Sequence, residues 1–340
     1  YREWKLGTPE ELKKIKRGVV CVGQLEPWVD KSKIEELLSH INWPVVVDGS
    51  NGSLKNHPNA IHSADAFCDM VSPADVESIL YLGGRWISKK MSALLSSSNV
   101  IHISEGALPV SHMESSHRQS YESLMANPFE KNTMNIDSMN KKIKSALNQS
   151  LINHPNSDLN FIHSAISKIN GRVDCFISNS LPVRFFDNVK VSHLREVYVN
   201  RGASGIDGNI ATIIGLCMVQ SDIPLLAIVG DLASIYDLNS FLMLKNCQRP
   251  VTIMIINNGG GDIFSLLPSA TSTAKFDEQF KLAHDWDLTK MLKGMSCNAV
   301  RISDPSHLTI EFNQNVIECM SSGGACALAE VYDFYTPEKT

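Results

Sequence analysis

The stretch GDLASIYDLNSFLMLKNCQRPVTIMIINNGGGDIFSLLP, running from Gly230 to Pro268, places an acid at the end of one apolar run and an Asn pair with three glycines at the end of the next. The first run, LLAIVG at 225–230, stops just before Asp231, and the second, VTIMII at 251–256, stops just before Asn257 and Asn258. Runs apolar on both faces are what strands inside a parallel sheet require. The intervening residues, from about 234 to 246, have the pattern of a crossover helix. In an open parallel sheet, ligands bind at the carboxyl edge. The arrangement therefore predicts that Asp231 and Asn258, 27 residues apart in sequence, meet at that edge.

An Asp carboxylate, an Asn side-chain carbonyl and a backbone carbonyl from the Gly259–Gly261 turn make a set of hard oxygen ligands. Such a set suits Mg²⁺, which takes few protein ligands and completes its octahedron with water and substrate phosphates. Glycine lets the backbone approach a phosphate closely and adopt positive φ. The competing explanation is that Asp231 caps a helix and NNGGG is an ordinary turn, since Asp, Asn and Gly are common in both roles. The joint occurrence, at helix-plus-strand spacing, favours a metal-bridged diphosphate.

Outward from this stretch, short β-rich runs alternate with helical patterns. GVVCVG at 18–23, PVVVD at 44–48, SILYLG at 78–83 and NVIHIS at 99–104 read as strands, with KIEELLSHI at 33–41 as a helix between the first two. From about Glu105 to Asn140 the pattern gives way to Ser, His, Met and Asn with Pro109 and Pro128, which predicts a surface linker holding His112 and His117. Helical stretches then follow near 140–151 and 158–170, and strands at 174–178 and 195–200. After the glycine-rich RGASGIDG comes helix NIATIIGLCMVQ; strands at 225–230, 251–256, 298–303 and 325–332, with helix from Pro305 to about Ser321, complete a second sheet. The expected fold class is α/β, with two tandem domains of mainly parallel sheet flanked by helices. Their predicted extents are 1–140, ending in the linker, and 141–340.

The composition narrows the function. A net charge of −5 without long like-charge blocks lacks the footprint of a nucleic-acid binder. The longest apolar stretches fall far short of the roughly 20 residues a membrane helix needs. Eight scattered cysteines, with no CxxC pair, predict free thiols in a reducing compartment. The opening YREWKLGTPEELKKIKRG has neither an initiator Met nor the apolar core of a signal peptide, which is the expectation for a stretch from inside a longer protein.

GD-x(26)-N resembles the thiamine diphosphate fingerprint, in which Asp and Asn hold the metal that clamps the cofactor's diphosphate. GDLASIYDLNSF, NNGGGDIFSLLP, SNSLPVRFFD and VNRGASGIDG are more particularly similar to the 2-succinyl-5-enolpyruvyl-6-hydroxy-3-cyclohexene-1-carboxylate synthases of menaquinone and phylloquinone biosynthesis. RGVVCVGQL and GGRWISKK look like the central domain of that family. The resemblance implies a thiamine diphosphate fold whose second domain binds the diphosphate and Mg²⁺, with Mn²⁺ as a substitute. Asp231 and Asn258 would then be metal ligands, joined by the backbone carbonyl of Gly260. Ile263 would support the bent cofactor, while Gly230, Leu232, Ser180, Ser204 and Ile206 would line its site.

In that family the cofactor adds to 2-oxoglutarate, releases CO₂ and delivers the resulting carbanion to isochorismate by 1,4-addition. Both substrates are dianions. The resemblance assigns Arg184 and Arg201 to their carboxylates and Lys89 to the acceptor side; guanidinium forks suit carboxylates through paired hydrogen bonds. It also implies a homodimer or tetramer in the cytoplasm, or in the plastid stroma of a photosynthetic eukaryote. No catalytic residue is identified, because the activating Glu of such enzymes sits on a pyrimidine-binding domain that nothing in these 340 residues matches. A fragment of this extent is expected to be inactive by itself.

Two features depart from the family pattern. Asp262 stands where an uncharged residue is expected, and it would repel anionic ligands unless it faces outward or is paired. The order Ala233 then Ser234 is also reversed. Phe264 is as consistent with core as with cofactor contact, Leu266 and Leu267 read as packing residues, and the eleven histidines form no metal spacing. Two other classes stay open: a different thiamine diphosphate decarboligase, such as an acetolactate synthase-like enzyme turning over pyruvate, and a non-catalytic regulatory module of the same fold.

Overall fold

The computed structural model describes residues 5–6, 12, 14–25, 29–103, 117–189, 193–267, 270 and 275–334. The chain divides into two compact units, 1–145 with 334–340, and 146–333. Pro109, His112 and residues 105–116 of the expected linker, Pro268 of the opening stretch, and residues 335–340 lie outside the described residues.

The first unit is built on a wholly parallel seven-stranded sheet. Its strands are β1 (Lys5–Leu6), β2 (Gly18–Val22), β3 (Val45–Val47), β4 (Ala60–Ile61), β5 (Ser78–Leu82), β6 (Val100–Ile103) and β7 (His117–Gln119), in the order β1-β7-β6-β5-β2-β3-β4. Helices α1 (Lys31–Ile41), α2 (Ala64–Met70), α3 (Lys89–Ser97) and α4 (Tyr121–Met125) accompany it. The expected linker is therefore partly structure: β7 pairs with β6, and α4 sends Leu124 into the core beside Leu37, Leu38 and Trp43. Its Ser- and Asn-rich composition concealed a short strand and a few apolar anchors, since Tyr121, Met125 and Phe129 pack against the same core.

Helix α5 (Ile136–Asn153) leads into the second unit, where α6 (Asp158–Ser167), β8 (Val173–Ile177), α7 (Leu181–Asp187), β9 (Leu194–Tyr198) and α8 (Asn209–Met218) precede the decisive stretch. Then come β10 (Leu225–Gly230), α9 (Asp231–Tyr236), β11 (Val251–Asn257), α10 (Leu288–Gly294), β12 (Asn298–Ile302), β13 (Asn315–Met320) and α11 (Ala325–Asp333). All strand pairs are parallel, in the order β12-β13-β11-β10-β8-β9. Central β10 and β11 are buried on both faces, which is why they read as continuous apolar runs. Phe176, Ile213, Leu225, Ile253, Leu292 and Val316 join one core on one side of this sheet.

Three expectations are corrected here. The crossover expected as one helix over 234–246 is a short α-helix, α9, followed by a 3₁₀ segment at Leu238–Asn246. Asp237 interrupts it; this Asp accepts the Ala211 N–H at 2.7 Å and so ties the break to α8. Residues 325–332 form helix α11, and the strand lies earlier, at β13, inside the stretch expected to be helical. ACALAEVY is apolar enough for a strand, but small Ala residues let it pack as a helix, with Ala325, Ala327, Leu328 and Val331 buried. In NVIECM, the buried Glu318 obscured the apolar run.

Chain order places β9 on one side of β8 and β10 on the other. The connections thus reverse direction between β8 and β10. A crevice at such a reversal, at the carboxyl ends of the strands, is where open α/β sheets bind ligands.

Candidate functional site

The register places Gly230 at the end of β10 opposite Ile256 of β11, so Asp231 and Asn258 leave neighbouring strand ends. Asp231 is 3% exposed. Its Oδ1 accepts the Leu232 N–H at 2.6 Å and its Oδ2 the Gly260 N–H at 2.8 Å, which ties the NNGGG turn to β10. Gly230 completes the joint: its N–H is 3.3 Å from the Ser178 Oγ that follows β8, and its carbonyl accepts the Ser234 hydroxyl.

The turn needs its glycines. Gly260 has φ of +141°, and a Cβ there would lie 2.5 Å from the Lys281 carbonyl. Each of the three glycine carbonyls already accepts one backbone N–H, from His284 at Gly259, Asp262 at Gly260 and Phe264 at Gly261. A cation bound through Gly260 would use the second lone pair of its carbonyl.

Asn258 donates through Nδ2 to Asp158 Oδ2 at 2.8 Å, while its Oδ1 is buried with no hydrogen-bond partner. A buried acceptor left unpaired costs free energy, and a hard cation at this edge would satisfy it. Among the described residues no cluster of three His, Cys, Asp or Glu side chains could hold a metal ion. An Asp with an amide and a backbone carbonyl is nevertheless the oxygen-rich set that fits Mg²⁺.

Three residues around this cleft carried no signal that sequence reasoning used. The His284 side chain is buried; its Nδ1 accepts the Trp286 N–H at 3.3 Å, its ring stacks on Trp286, and Nε2 stands 3.2 Å from Asp231 Oδ2 without completing an aligned hydrogen bond. Asp158, at the start of α6, is 1% exposed; burial, together with the nearby Asp262 and Asp231 charges, pushes its carboxyl up to about 7 against the pull of the Ser321 and Asn258 hydrogen bonds. Glu318 of β13 accepts from Asn257 Nδ2 at 2.7 Å, from the Thr289 N–H at 2.9 Å and from Arg301 Nε at 3.1 Å. It thereby fixes Asn257, whose Oδ1 in turn receives the Gly259 N–H at 3.1 Å. The contacts that bring His284, Asp158 and Glu318 to the turn and to Asp231 follow no local spacing.

Asp262 is paired. Buried at 7% exposure, it accepts the Gly324 and Ala325 N–H groups at 2.8 and 2.9 Å, at the start of α11, and meets Lys281 Nζ at 3.2 Å. Burial pushes its carboxyl up, but these hydrogen bonds and the ammonium outweigh it and hold the group below the usual range. An acid capping a helix N-terminus is stabilising. The sequence departure is a structural cap.

The remaining expected residues occupy two other places. Ser180 holds a left-handed φ of 73° before α7, and its carbonyl accepts from Arg184 of that helix. Arg201, on the loop that follows β9, reaches Asn179 Oδ1 through Nη1 at 3.4 Å, while Arg184 sits within α7, the helix that follows β8. Ser204 and Ile206 are exposed on the glycine-rich loop, with φ of 56° at Ser204. Ile263 is half-buried just past the turn; Phe264 and Leu267 are exposed, so the expectation that Leu267 packs is overturned because the 3₁₀ turn at Asp262–Leu266 directs it outward. Lys89 is exposed at the start of α3 in the first unit.

Sequence comparison supplies an independent view of this geometry. Residues 182–329 match the family model described as thiamine pyrophosphate enzyme, C-terminal TPP binding domain. The chain is 29% identical over 287 residues to a 2-succinyl-5-enolpyruvyl-6-hydroxy-3-cyclohexene-1-carboxylate synthase of Shewanella frigidimarina, covering 79% of this chain and 49% of the relative. A synthase of the same name from Roseiflexus sp. is 27% identical over 325 residues, 90% of this chain and 55% of the relative. One from Shewanella oneidensis is 32% identical over 295 residues, 79% and 49%. The chain spans about half the length of the curated relatives it matches.

Proposed function

From a chain that is homologous to 2-succinyl-5-enolpyruvyl-6-hydroxy-3-cyclohexene-1-carboxylate synthases and carries the C-terminal domain of thiamine pyrophosphate enzymes, we propose that the second unit holds thiamine diphosphate through a divalent cation at the Asp231–Asn258 edge. The observation that carries this is the buried, unpartnered Asn258 Oδ1 on the turn whose Gly260 is hydrogen-bonded to Asp231. Asp231, Asn258 Oδ1 and the Gly260 carbonyl hold the ion, Mg²⁺ or its substitute Mn²⁺, and the ion neutralises the diphosphate. Gly230, Leu232 and Ser180 form the wall at the strand reversal, with Ser204 and Ile206 on the loop above. Ile263 presents an aliphatic surface just beyond the turn, which keeps water from that side of the cofactor.

When bound, the cofactor supplies the carbanion chemistry that decarboxylates a 2-oxo acid. The donor proposed is 2-oxoglutarate and the acceptor isochorismate, giving the product for which the relatives are named. Arg184 and Arg201 receive their carboxylates by exchanging the present bonds to the Ser180 carbonyl and Asn179 Oδ1, and Lys89 is assigned to the acceptor side. A homo-oligomer in the cytoplasm or plastid stroma, with a pyrimidine-binding domain supplying the activating Glu, completes the proposal. No helix among the described residues is long and apolar enough to cross a membrane.

Turnover tests the substrate assignment. With thiamine diphosphate, Mg²⁺ and the pyrimidine-binding domain present, 2-oxoglutarate plus isochorismate is expected to release CO₂. Turnover of pyruvate with no use of isochorismate would replace this assignment by an acetolactate synthase-like one.

A further inference from the structure

We propose that Asp158 is a positioning residue that selects the orientation of the Asn258 amide, so that the carbonyl oxygen and not the amino group is presented as a ligand. The inference rests on the cation site proposed above and adds a residue to it from 100 positions away in sequence.

An Asn amide has two ends of nearly equal size, and only the oxygen can bind a cation. Backbone geometry at Asn258 does not distinguish them. A carboxylate does: in its ionised form, which a cation bound nearby favours, it accepts hydrogen bonds and donates none. Asp158 Oδ2 takes Asn258 Nδ2 at 2.8 Å, which leaves Oδ1 on the side away from Asp158, buried and without a partner. With the amide reversed, its oxygen would face the carboxylate and its amino group would face the cation.

Asp158 is held for this task from several directions. Its Oδ1 accepts the hydroxyl of Ser321, just past β13, and its backbone N–H reaches the Gly323 carbonyl at 3.2 Å. Ser321 is itself fixed, donating its N–H to the Asn257 carbonyl at 2.9 Å and accepting the Gly323 N–H at 3.0 Å. The carboxylate lies so close to the 323–324 turn that a Cβ on Gly324 would be 2.7 Å from Oδ2. Three chain segments, at 158, 257–258 and 321–324, thus converge on one amide. Partners of this kind behind a metal ligand are typically worth about 10- to 100-fold in metal affinity.

The test uses Mn²⁺ as the probe, its binding in the presence of thiamine diphosphate followed by electron paramagnetic resonance. Asp158→Asn keeps the shape and an acceptor for Ser321 but offers Asn258 an amino group, which favours the reversed amide. Its Mn²⁺ affinity is expected to fall at least about tenfold, with the thermal midpoint of the metal-free protein within about 4 °C of wild type. In the exchange variant Asp158→Asn with Asn258→Asp, the amino group comes from position 158 and the oxygen ligand from position 258. That variant is expected to recover binding to within about threefold of wild type, which a merely structural role for Asp158 would not produce.

Unchanged affinity in Asp158→Asn, or an exchange variant no better than it, would overturn the positioning role. Should Asp158→Asn not fold, Ser321→Ala loosens the same carboxylate and is expected to weaken Mn²⁺ severalfold; full affinity there would count equally against the proposal. Asp231→Ala separates the two levels. If it loses Mn²⁺ while Asp158→Asn keeps it, only the positioning role falls; if it too binds Mn²⁺ like wild type, the cation site itself is wrong.

Discussion

At the amino edge of the second unit's sheet, Asp174 of β8 is buried between two guanidinium groups: Arg195 contributes Nε at 2.8 Å and Arg249, itself buried, contributes Nη2. At the carboxyl edge of the same sheet, Asp231 and Asp158 are equally buried but are met by backbone N–H groups, an amide, a hydroxyl and an imidazole. One edge neutralises its carboxylate within the chain. The other gathers negative charge and leaves the Asn258 carbonyl unpartnered. An edge built only for stability would resemble the first, because unpaired buried polar groups and uncompensated charge cost free energy. The difference supports the proposal that a cation completes the charge balance at the carboxyl edge.

The largest effect expected from breaking this comparison is at the amino edge. Asp174→Asn leaves Arg249 buried without its carboxylate and is expected to destabilise the second unit by about 3–5 kcal/mol, measured by urea unfolding, while the cation affinity of the folded protein is retained. Acid dependence sharpens the point. Burial pushes the Asp174 carboxyl up, but the Arg195 and Arg249 bonds more than offset this and hold it below the ordinary range. A group lowered in the folded state contributes stability that is full above the unfolded value of about 4. That contribution is lost as pH falls through the lowered folded value. The wild type is therefore expected to lose stability more steeply below about pH 4 than Asp174→Asn does.

Asp231→Ala inverts the pattern. A loss of about 100-fold in Mg²⁺-dependent cofactor affinity is expected, together with an unchanged circular dichroism spectrum. Gly260→Ala should follow: the φ of +141° and the blocked Cβ position imply about 1–3 kcal/mol of strain, read as a lower thermal midpoint together with weaker Mg²⁺ binding. The smallest effect is at Arg184→Ala, where loss of a charge-assisted contact is expected to raise the KM for 2-oxoglutarate roughly tenfold while leaving cofactor affinity unchanged. The reverse pattern there would remove the carboxylate role.

The parallel sheets were legible wherever both faces of a strand are apolar, as in LLAIVG and VTIMII, because burial on both sides leaves a continuous run. Legibility failed where a buried polar residue interrupts a strand, as Glu318 does in β13, or where small residues suit either state, as in α11. The meeting of Asp231 with the NNGGG turn was also legible, since strand order follows from strand, crossover and strand. Asp158, His284 and Glu318 were not, because they reach the turn from 100, 26 and 60 residues away from Asn258 and encode no local pattern. Asp262 was legible as an anomaly, but its explanation needed the start of α11, 62 residues on.

The most direct measurement is calorimetric titration of thiamine diphosphate into the protein with and without Mg²⁺, for the wild type and Asp231→Ala, with the pyrimidine-binding domain present. Binding that requires Mg²⁺ in the wild type and disappears in Asp231→Ala is the predicted result. Equal binding in both proteins, or binding indifferent to Mg²⁺, would contradict the assignment of the carboxyl edge as the cation and diphosphate site.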